Sequence, residues 1–355
     1  MLLIPTCSFF EIVPCAAHAL VSPASASKSL IDFPASSTWS QKQGLISGET
    51  LDFDYALLCT GSSYPSGVKP DMTKLQDRAI TAAKTVVVVG GGSVGVEVAS
   101  EVADAFPDKK VTIVASGDLL DRMAPSAQQY AEEWMKKHNV EVLTGERISD
   151  WGGLDDNMPA AATLKTSSGR TLAADLAFKC VGVTPATGTY AASLSSEQLG
   201  PRGAIEVYPT LQVKGWRNVF AAGDCNSIAE EKTAAMAGLS ALAAAGNIIA
   251  LDSGKELKPY FERIFGGVKP PVCGGTSLGS HEGVMQMGPL NVQIGKAPAT
   301  VKGFITWMFG RIVGGSRFWG FLYRRMQNLM ASGMAKEARR VAAAAATVSV
   351  APASG

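Results

Sequence analysis

The spacing of apolar residues changes several times along this chain, and each change marks an element. Thr85–Val89 (TVVVV) is an unbroken β-branched run, as expected of a strand buried on both faces. Behind it the period lengthens, which predicts a helix to about Ala105. KKVTIVAS is read as a second strand. SAQQYAEEWMKKHN follows with helical spacing and basic residues in its last turn, and VEVLTGERI is read as the next strand. ATLKTSSGRTLAADLAFKCVG alternates like a hairpin with Ser167-Ser168-Gly169 at its turn, then runs as a buried strand into Gly182. Strand–helix–strand alternation predicts a parallel sheet with right-handed crossovers. Before this unit, Tyr55–Cys59 reads as a strand ending in Thr60-Gly61, followed by a loop marked by Pro65, Gly67 and Pro70. After it, GAIEVYPTLQVKGWRNVFAAGDC reads as strand-rich. EEKTAAMAGLSALAAAGNIIA reads as a helix apolar nearly all round, hence buried.

Composition narrows this picture. The 355 residues are 46% hydrophobic and 18% charged, enough apolar material for about two domains and too much for global disorder. Formal net charge is +1, which gives no general attraction to nucleic acid. The charge is uneven, however. Gly283–Lys336 contains seven basic residues (Lys296, Lys302, Arg311, Arg317, Arg324, Arg325 and Lys336) and no acid. The six cysteines (Cys7, Cys15, Cys59, Cys180, Cys225 and Cys273) form no CxxC pair, and the three histidines are scattered, so neither a disulfide framework nor a metal site is expected. No membrane-spanning helix is expected, and the N-terminal stretch makes a poor signal peptide, although organelle targeting stays open.

The most specific chemistry lies at Gly90-x-Gly92-x-x-Gly95, between the first strand and its helix. In that setting the first glycine permits a tight turn and the second lets backbone approach a pyrophosphate. The third lets helix pack on strand, and the helix N-terminus offers free N–H groups to phosphate. Gly90, Gly92, Ser93, Val94 and Gly95 are therefore candidate nucleotide contacts, with Ser116 at the end of the next strand. At that strand end Val114-Ala115-Ser116-Gly117-Asp118 supplies neither an acid nor an arginine at position 115 to separate NAD from NADP.

Three segments together resemble one family. Cys59-Thr60-Gly61 resembles its ATG turn, GGGSVGVE (Gly90–Glu97) its nicotinamide-nucleotide turn, and NVFAAGDC (Asn218–Cys225) its second flavin motif. The chain is thus similar to two-dinucleotide flavoprotein reductases of the pyridine-nucleotide oxidoreductase superfamily. It is closest to the apoptosis-inducing-factor-like, ferroptosis-suppressor branch, which acts as single-subunit NAD(P)H:quinone oxidoreductases. The resemblance implies an α/β fold. Two Rossmann-like dinucleotide-binding domains are expected, the FAD domain incomplete and the NAD(P) domain inserted into it, with a small C-terminal domain beyond. The expected boundaries are 8–80 and 186–255 for the FAD-domain remnant, 81–185 for the NAD(P) domain, 256–340 for the C-terminal domain, and 341–355 for a disordered tail. The cofactors implied are FAD and NAD(P)H, with Thr60, Gly61, Gly182, Gly223 and Asp224 as further cofactor contacts. Glu97 is implied to line the nicotinamide side; it also reads as a helix-start acid stabilised by the dipole. Lys232 matches the branch's lysine before the final helix and is implied, with Glu97, as a catalytic or flavin contact; it also reads as a solvated helix-start lysine. Ser240 stands where relatives often have histidine.

Relatives begin with another strand and another GxGxxG. Phe9–Pro23 resembles the segment that follows that unit, so the chain is expected to start about fifty residues late, the size of one βαβ unit. The missing CxxC favours direct transfer from the flavin to a quinone-like acceptor, with the protein in the cytoplasm; a reductase of a protein acceptor such as ferredoxin is the alternative reading, and a third is a catalytically impaired nucleotide-binding or interaction protein. Oligomeric state is not legible. Residues 302–326 mix aromatics with arginines, which suits either peripheral contact with a membrane or a buried domain face with snorkelling arginines. Gly314-Gly315 predicts two short helices there.

Overall fold

The computed structural model describes residues 54–63, 78–154, 159–188, 191, 194–267, 272–288, 292–313 and 317–349, with three short strands nearer the N-terminus. Those strands are β1 (Leu2–Leu3), β2 (Phe9–Glu11) and β3 (Leu30–Asp32). The loop expected at Pro65–Pro70 lies outside the described residues.

The first core surrounds a six-stranded sheet. Its strands are β6 (Thr85–Val89), β7 (Lys110–Val114), β8 (Glu141–Leu143), β9 (Ile148–Asp150), β10 (Ala160–Thr166) and β11 (Thr171–Lys179), in the order β8-β7-β6-β11-β10-β9. β8, β7, β6 and β11 run parallel, and β10 and β9 add an antiparallel edge. The unbroken valines of β6 are explained by cover on both sides. Val86 and Val88 pack with Val98, Val102, Ile113 and Phe178, and Val87 and Val89 pack with Val114, Leu164 and Leu172. α2 (Ser93–Ala105) and α3 (Pro125–Lys137) are the helices read from the periodicity, and a short α1 (Arg78–Ala82) precedes β6. The single strand expected over VEVLTGERI is corrected to two. Gly145 takes φ +71° between β8 and β9, and the chain crosses there from one sheet edge to the other.

The second unit is built on β4 (Ala56–Leu58), which lies between β1 and β13 (Val219–Ala221), all parallel. β5 (Ser62–Ser63) pairs antiparallel with β12 (Thr184–Pro185), so the chain leaves for the first unit and returns from it side by side. The segment expected to be strand-rich, Gly203–Cys225, contains only β13 as a regular strand. Isolated bridges such as Val207↔Val213 and Gln212↔Phe220 replace the rest, because Leu211 and Gly215 adopt positive φ and fold the chain back on itself. α4 (Ala234–Asp252) is long and apolar enough to cross a membrane. Met236, Leu239, Ala243, Ala244 and Ile248 are instead buried in the second core, while Leu242 and Ile249 are exposed, so the helix is covered on one side rather than all round.

After α5 (Tyr260–Phe265) comes an antiparallel meander of β14 (Cys273–Leu278), β15 (Glu282–Met287) and β16 (Val292–Gly295), then α6 (Lys296–Val313) and α7 (Arg317–Ser349). The glycine pair itself lies outside the described residues; the helices on either side of it are both long, where the sequence predicts two short ones. α7 also runs on to Ser349, into the segment read as a disordered tail.

Candidate functional site: two turns and a buried ion pair

At the C-terminal end of β6 the glycine turn has the geometry its residue types require. Gly90 takes φ +129°, and its N–H donates to the Val114 carbonyl at 2.7 Å. A Cβ at Gly90 would lie 2.1 Å from the Cys180 carbonyl oxygen, and one at Gly95 would lie 1.9 Å from that of Gly90. Gly92 is different: a Cβ there would meet nothing within 4 Å. Gly92 is also the N-cap of α2, and no side chain caps the helix. The first-turn N–H groups and the dipole's positive end therefore face open space over Gly92 and the exposed Ser93. Val94 is half-buried beside them. Ser116, just beyond β7, and Gly182, just beyond β11 with φ +106°, are exposed at the same end of the parallel strands. Ligands in open α/β sheets sit at that edge. This cradle fits a dinucleotide phosphate.

Glu97, on the same helix, is buried. It forms an ion pair with Lys302 of α6, and its Oε1 accepts from the Ser277 N–H at 3.1 Å. Lys302 Nζ also donates to Ser277 Oγ at 2.8 Å. Glu97 is thus more than a helix-start acid, since its charge is matched by a nearly buried cation from the C-terminal unit. Lys302 and Ser277 are absent from the sequence-predicted site. Lys302 sits in a basic run that reads as surface, 205 positions from Glu97, and no local signal links the two.

A second group gathers at the ends of β4 and β13. The Ala222 N–H donates to the Leu58 carbonyl at 3.0 Å, which brings the buried Thr60 and Gly61 (φ +68°) beside Gly223 (φ +76°) and Asp224. Ser62 Oγ donates to Asp224 Oδ2 at 2.8 Å. The Gly223 N–H donates to Ser240 Oγ at 2.9 Å, so the serine in the histidine position holds this turn from α4. Lys232 is not solvated. Its Nζ donates to the carbonyls of Gly223 (3.3 Å) and Asn226 (3.0 Å) and to Asn226 Oδ1 (3.0 Å), and burial pulls its pKa down. In this arrangement Lys232 braces the Gly-Asp turn. Nearby, burial pushes the Glu230 carboxyl up to about 7; Tyr260 Oη donates to its Oε2 at 3.0 Å, while its Oε1 is buried without a hydrogen-bond partner. Burial pushes the Cys59 thiol up to about 12 and raises that of Cys225, so both remain protonated and poorly nucleophilic.

The two groups are linked at the surface. Arg122, in the loop after β7, pairs at 2.8 Å with Glu231, next to Lys232. Asp118 is exposed in the same loop.

Comparison with known proteins places this geometry in context. Residues 27–239 match the family model described as pyridine nucleotide-disulphide oxidoreductase. The chain is 34% identical over 226 residues to ferroptosis suppressor protein 1 of Mus musculus and of Homo sapiens, an alignment covering 60% of this chain and 60% of each relative. It is 31% identical over 270 residues to apoptosis-inducing factor homolog B of Dictyostelium discoideum, covering 68% of each. The chain therefore spans about 60% of the length of the ferroptosis suppressor relatives it matches. Among solved structures, a ferredoxin reductase from Rhodopseudomonas palustris superposes with TM-score 0.50 at 20% identity, over 67% of this chain and 59% of that one. An NAD-dependent persulfide reductase from A. fulgidus gives TM-score 0.51 at 18% identity, over 72% and 47%. These two similarities establish the fold.

Proposed function

Because the chain belongs to the pyridine nucleotide-disulphide oxidoreductase family, we propose that it is an NAD(P)H-dependent flavoprotein oxidoreductase delivering electrons to a quinone-type acceptor. The observation that carries this reading is the uncapped start of α2 above Gly92, where an open cradle lies between Gly90 and Gly95, two glycines whose lack of a Cβ the packing requires. Gly90, Gly92, Ser93, Val94, Gly95, Ser116 and Gly182 would hold NAD(P)H; Thr60, Gly61, Gly223 and Asp224 would hold FAD. A bound flavin supplies two-electron exchange between a nicotinamide and an acceptor, and the protein supplies binding, orientation and exclusion of water. Lys232 and Ser240 keep the Gly223-Asp224 turn in one conformation. Glu97 and Lys302, joined through Ser277, form a buried ion pair on the helix that opens at the glycine turn. The quinone reading rests on the resemblance described above and on the lack of a CxxC pair, which would be needed to relay electrons to a disulfide. A lipid-soluble quinone resides in the bilayer, so the working protein belongs at a membrane surface facing the cytoplasm.

The test is NADH and NADPH oxidation by the full 355-residue chain with added FAD, using a short-chain quinone, a ferredoxin or no acceptor. The expected result is quinone-dependent oxidation that Gly92→Ala diminishes. Oxidation only with ferredoxin would replace the quinone by a protein acceptor. Nucleotide binding with no oxidation under any condition would make the chain a binding protein.

A further inference from the structure

We infer that one continuous face of α6 and α7 docks on an anionic lipid bilayer. On α6, Phe304, Trp307 and Arg311 follow one another at intervals of three and four, and all are exposed, Phe304 by 48% and Trp307 by 47%. Lys302 lies on the opposite side of the helix, turned inward to Glu97, and Met308 marks the buried edge of the exposed stripe. On α7, Phe318, Leu322, Arg325 and Leu329 share one exposed stripe with four- and three-residue spacing, Lys336 continues it seven residues on, and Phe321 flanks it. Phe318 is 65% and Leu329 75% exposed, whereas Ala331, Met334 and Ala335 on the other side are buried in the second core. α7 therefore carries apolar side chains on both its inner and its outer faces, the outer ones interleaved with cations.

The two stripes form one surface. Trp307 and Trp319 meet edge to face with ring centroids 4.9 Å apart, and Phe304 stacks on Trp307 at 5.9 Å. Cations sit within the surface: the Arg311 guanidinium lies 5.2 Å from the Trp307 ring centroid and that of Arg325 lies 5.5 Å from Phe321. Aromatic rings with adjacent arginines match the interfacial layer of a membrane, where rings lie at headgroup level and guanidinium groups reach phosphate. Among the described residues, the other exposed apolar side chains, such as Val181, Tyr208 and the Leu242–Ile249 pair on α4, are fewer and more scattered.

Charge selects the bilayer over a second copy of the chain. Gly283–Lys336 contains no acid. A two-fold self-contact through this face would set Arg311, Arg325 and Lys336 against cations of their own kind with no counter-charge from that segment. Anionic headgroups supply the missing charge. The inference goes beyond the proposed activity and does not depend on the acceptor.

The test is co-sedimentation of the full chain with vesicles of phosphatidylcholine, with and without phosphatidylserine, at low and high salt. Binding should require phosphatidylserine and weaken with salt. Arg311→Gln and Arg325→Gln should each weaken partitioning by about five-fold. The triple variant Phe304→Ser, Phe318→Ser, Phe321→Ser should abolish binding, and bromine-labelled lipid should quench Trp307 fluorescence, judged against Trp307→Phe. All variants should keep the wild-type rate on a water-soluble quinone without vesicles, so a failed activity and a failed dock remain separate results. Absence of binding at low salt would overturn the inference, as would binding indifferent to the triple variant. A concentration-dependent dimer that the triple variant dissolves, without vesicle binding, would reassign the face to self-association.

Discussion

A methyl group added at Gly95 would stand 1.9 Å from the Gly90 carbonyl oxygen, whereas one added at Gly92 would meet nothing within 4 Å. Gly95→Ala must therefore push helix from strand and should cost about 2 kcal/mol of stability through overpacking. Gly92 has φ −74°, which alanine adopts freely, so Gly92→Ala should cost only about 0.5 kcal/mol for the poorer cap. Its methyl would instead fill the cradle and weaken NADH or NADPH binding by about tenfold, equivalent to about 1.4 kcal/mol. Urea midpoints and nucleotide titrations on both variants check this, and the idea fails if both lose affinity only in proportion to stability. These positions are legible in the sequence because a missing Cβ is itself the functional property. Ser240 is less legible. The family pattern marks it only as a departure, and its bond to the Gly223 N–H emerges from the packing of α4 against the turn.

At the level of elements, α2 is joined to the C-terminal unit by polar contacts along one side. Glu97 meets Ser277 and Lys302, Ser100 Oγ donates to the Ser277 carbonyl at 3.3 Å, and Asp104 accepts from the Ser280 N–H at 2.9 Å. Asp104 is held below the usual carboxylate range by these Ser280 hydrogen bonds, which outweigh its partial burial. Lys302→Met would leave Glu97 buried without its cation and should cost about 3 kcal/mol, while Glu97→Gln combined with Lys302→Met should recover much of that loss. A double-mutant cycle in urea measures the coupling, and additive losses would show the pair to be unimportant for stability. The elements themselves were largely readable: β6, β7, α2, α3 and the β10–β11 hairpin follow their periodicity. β8 and β9 escaped because an apolar pattern does not show that the chain has changed sheet edge. Lys302 escaped because the charge run around it reads as solvated surface, and only tertiary packing turns one member of that run inward.

The C-terminal unit touches both cores. β14, β15 and α6 pack against the nucleotide-side helices, where Leu278 and Val284 join the first core, Tyr130 Oη donates to Glu282 at 2.9 Å, and the Ala124 N–H donates to Gln286 at 2.7 Å. α7 then crosses to the second core, where Ala331, Met334 and Ala335 pack with Tyr260 and Phe265. Among the described residues the units are also linked by the paired strands β5 and β12, by Cys273 and Met287 of the meander, which pack against the second core, and by the Arg122–Glu231 pair, which contributes about 0.5 kcal/mol or less because its arginine is so exposed. α7 adds a buried apolar contact to these links. Met334→Asp would place a carboxylate among Tyr260, Phe265 and α4, costing about 4 kcal/mol locally. If α7 carries the coupling, calorimetry of this variant should resolve two transitions where the parent shows one, with the first core's midpoint nearly unchanged and its NADH or NADPH affinity retained. A single transition at a lower temperature would mean that the cores communicate through the β5–β12 crossover or the β14–β15 meander instead, and α7 would then be a cover over the second core rather than a connector.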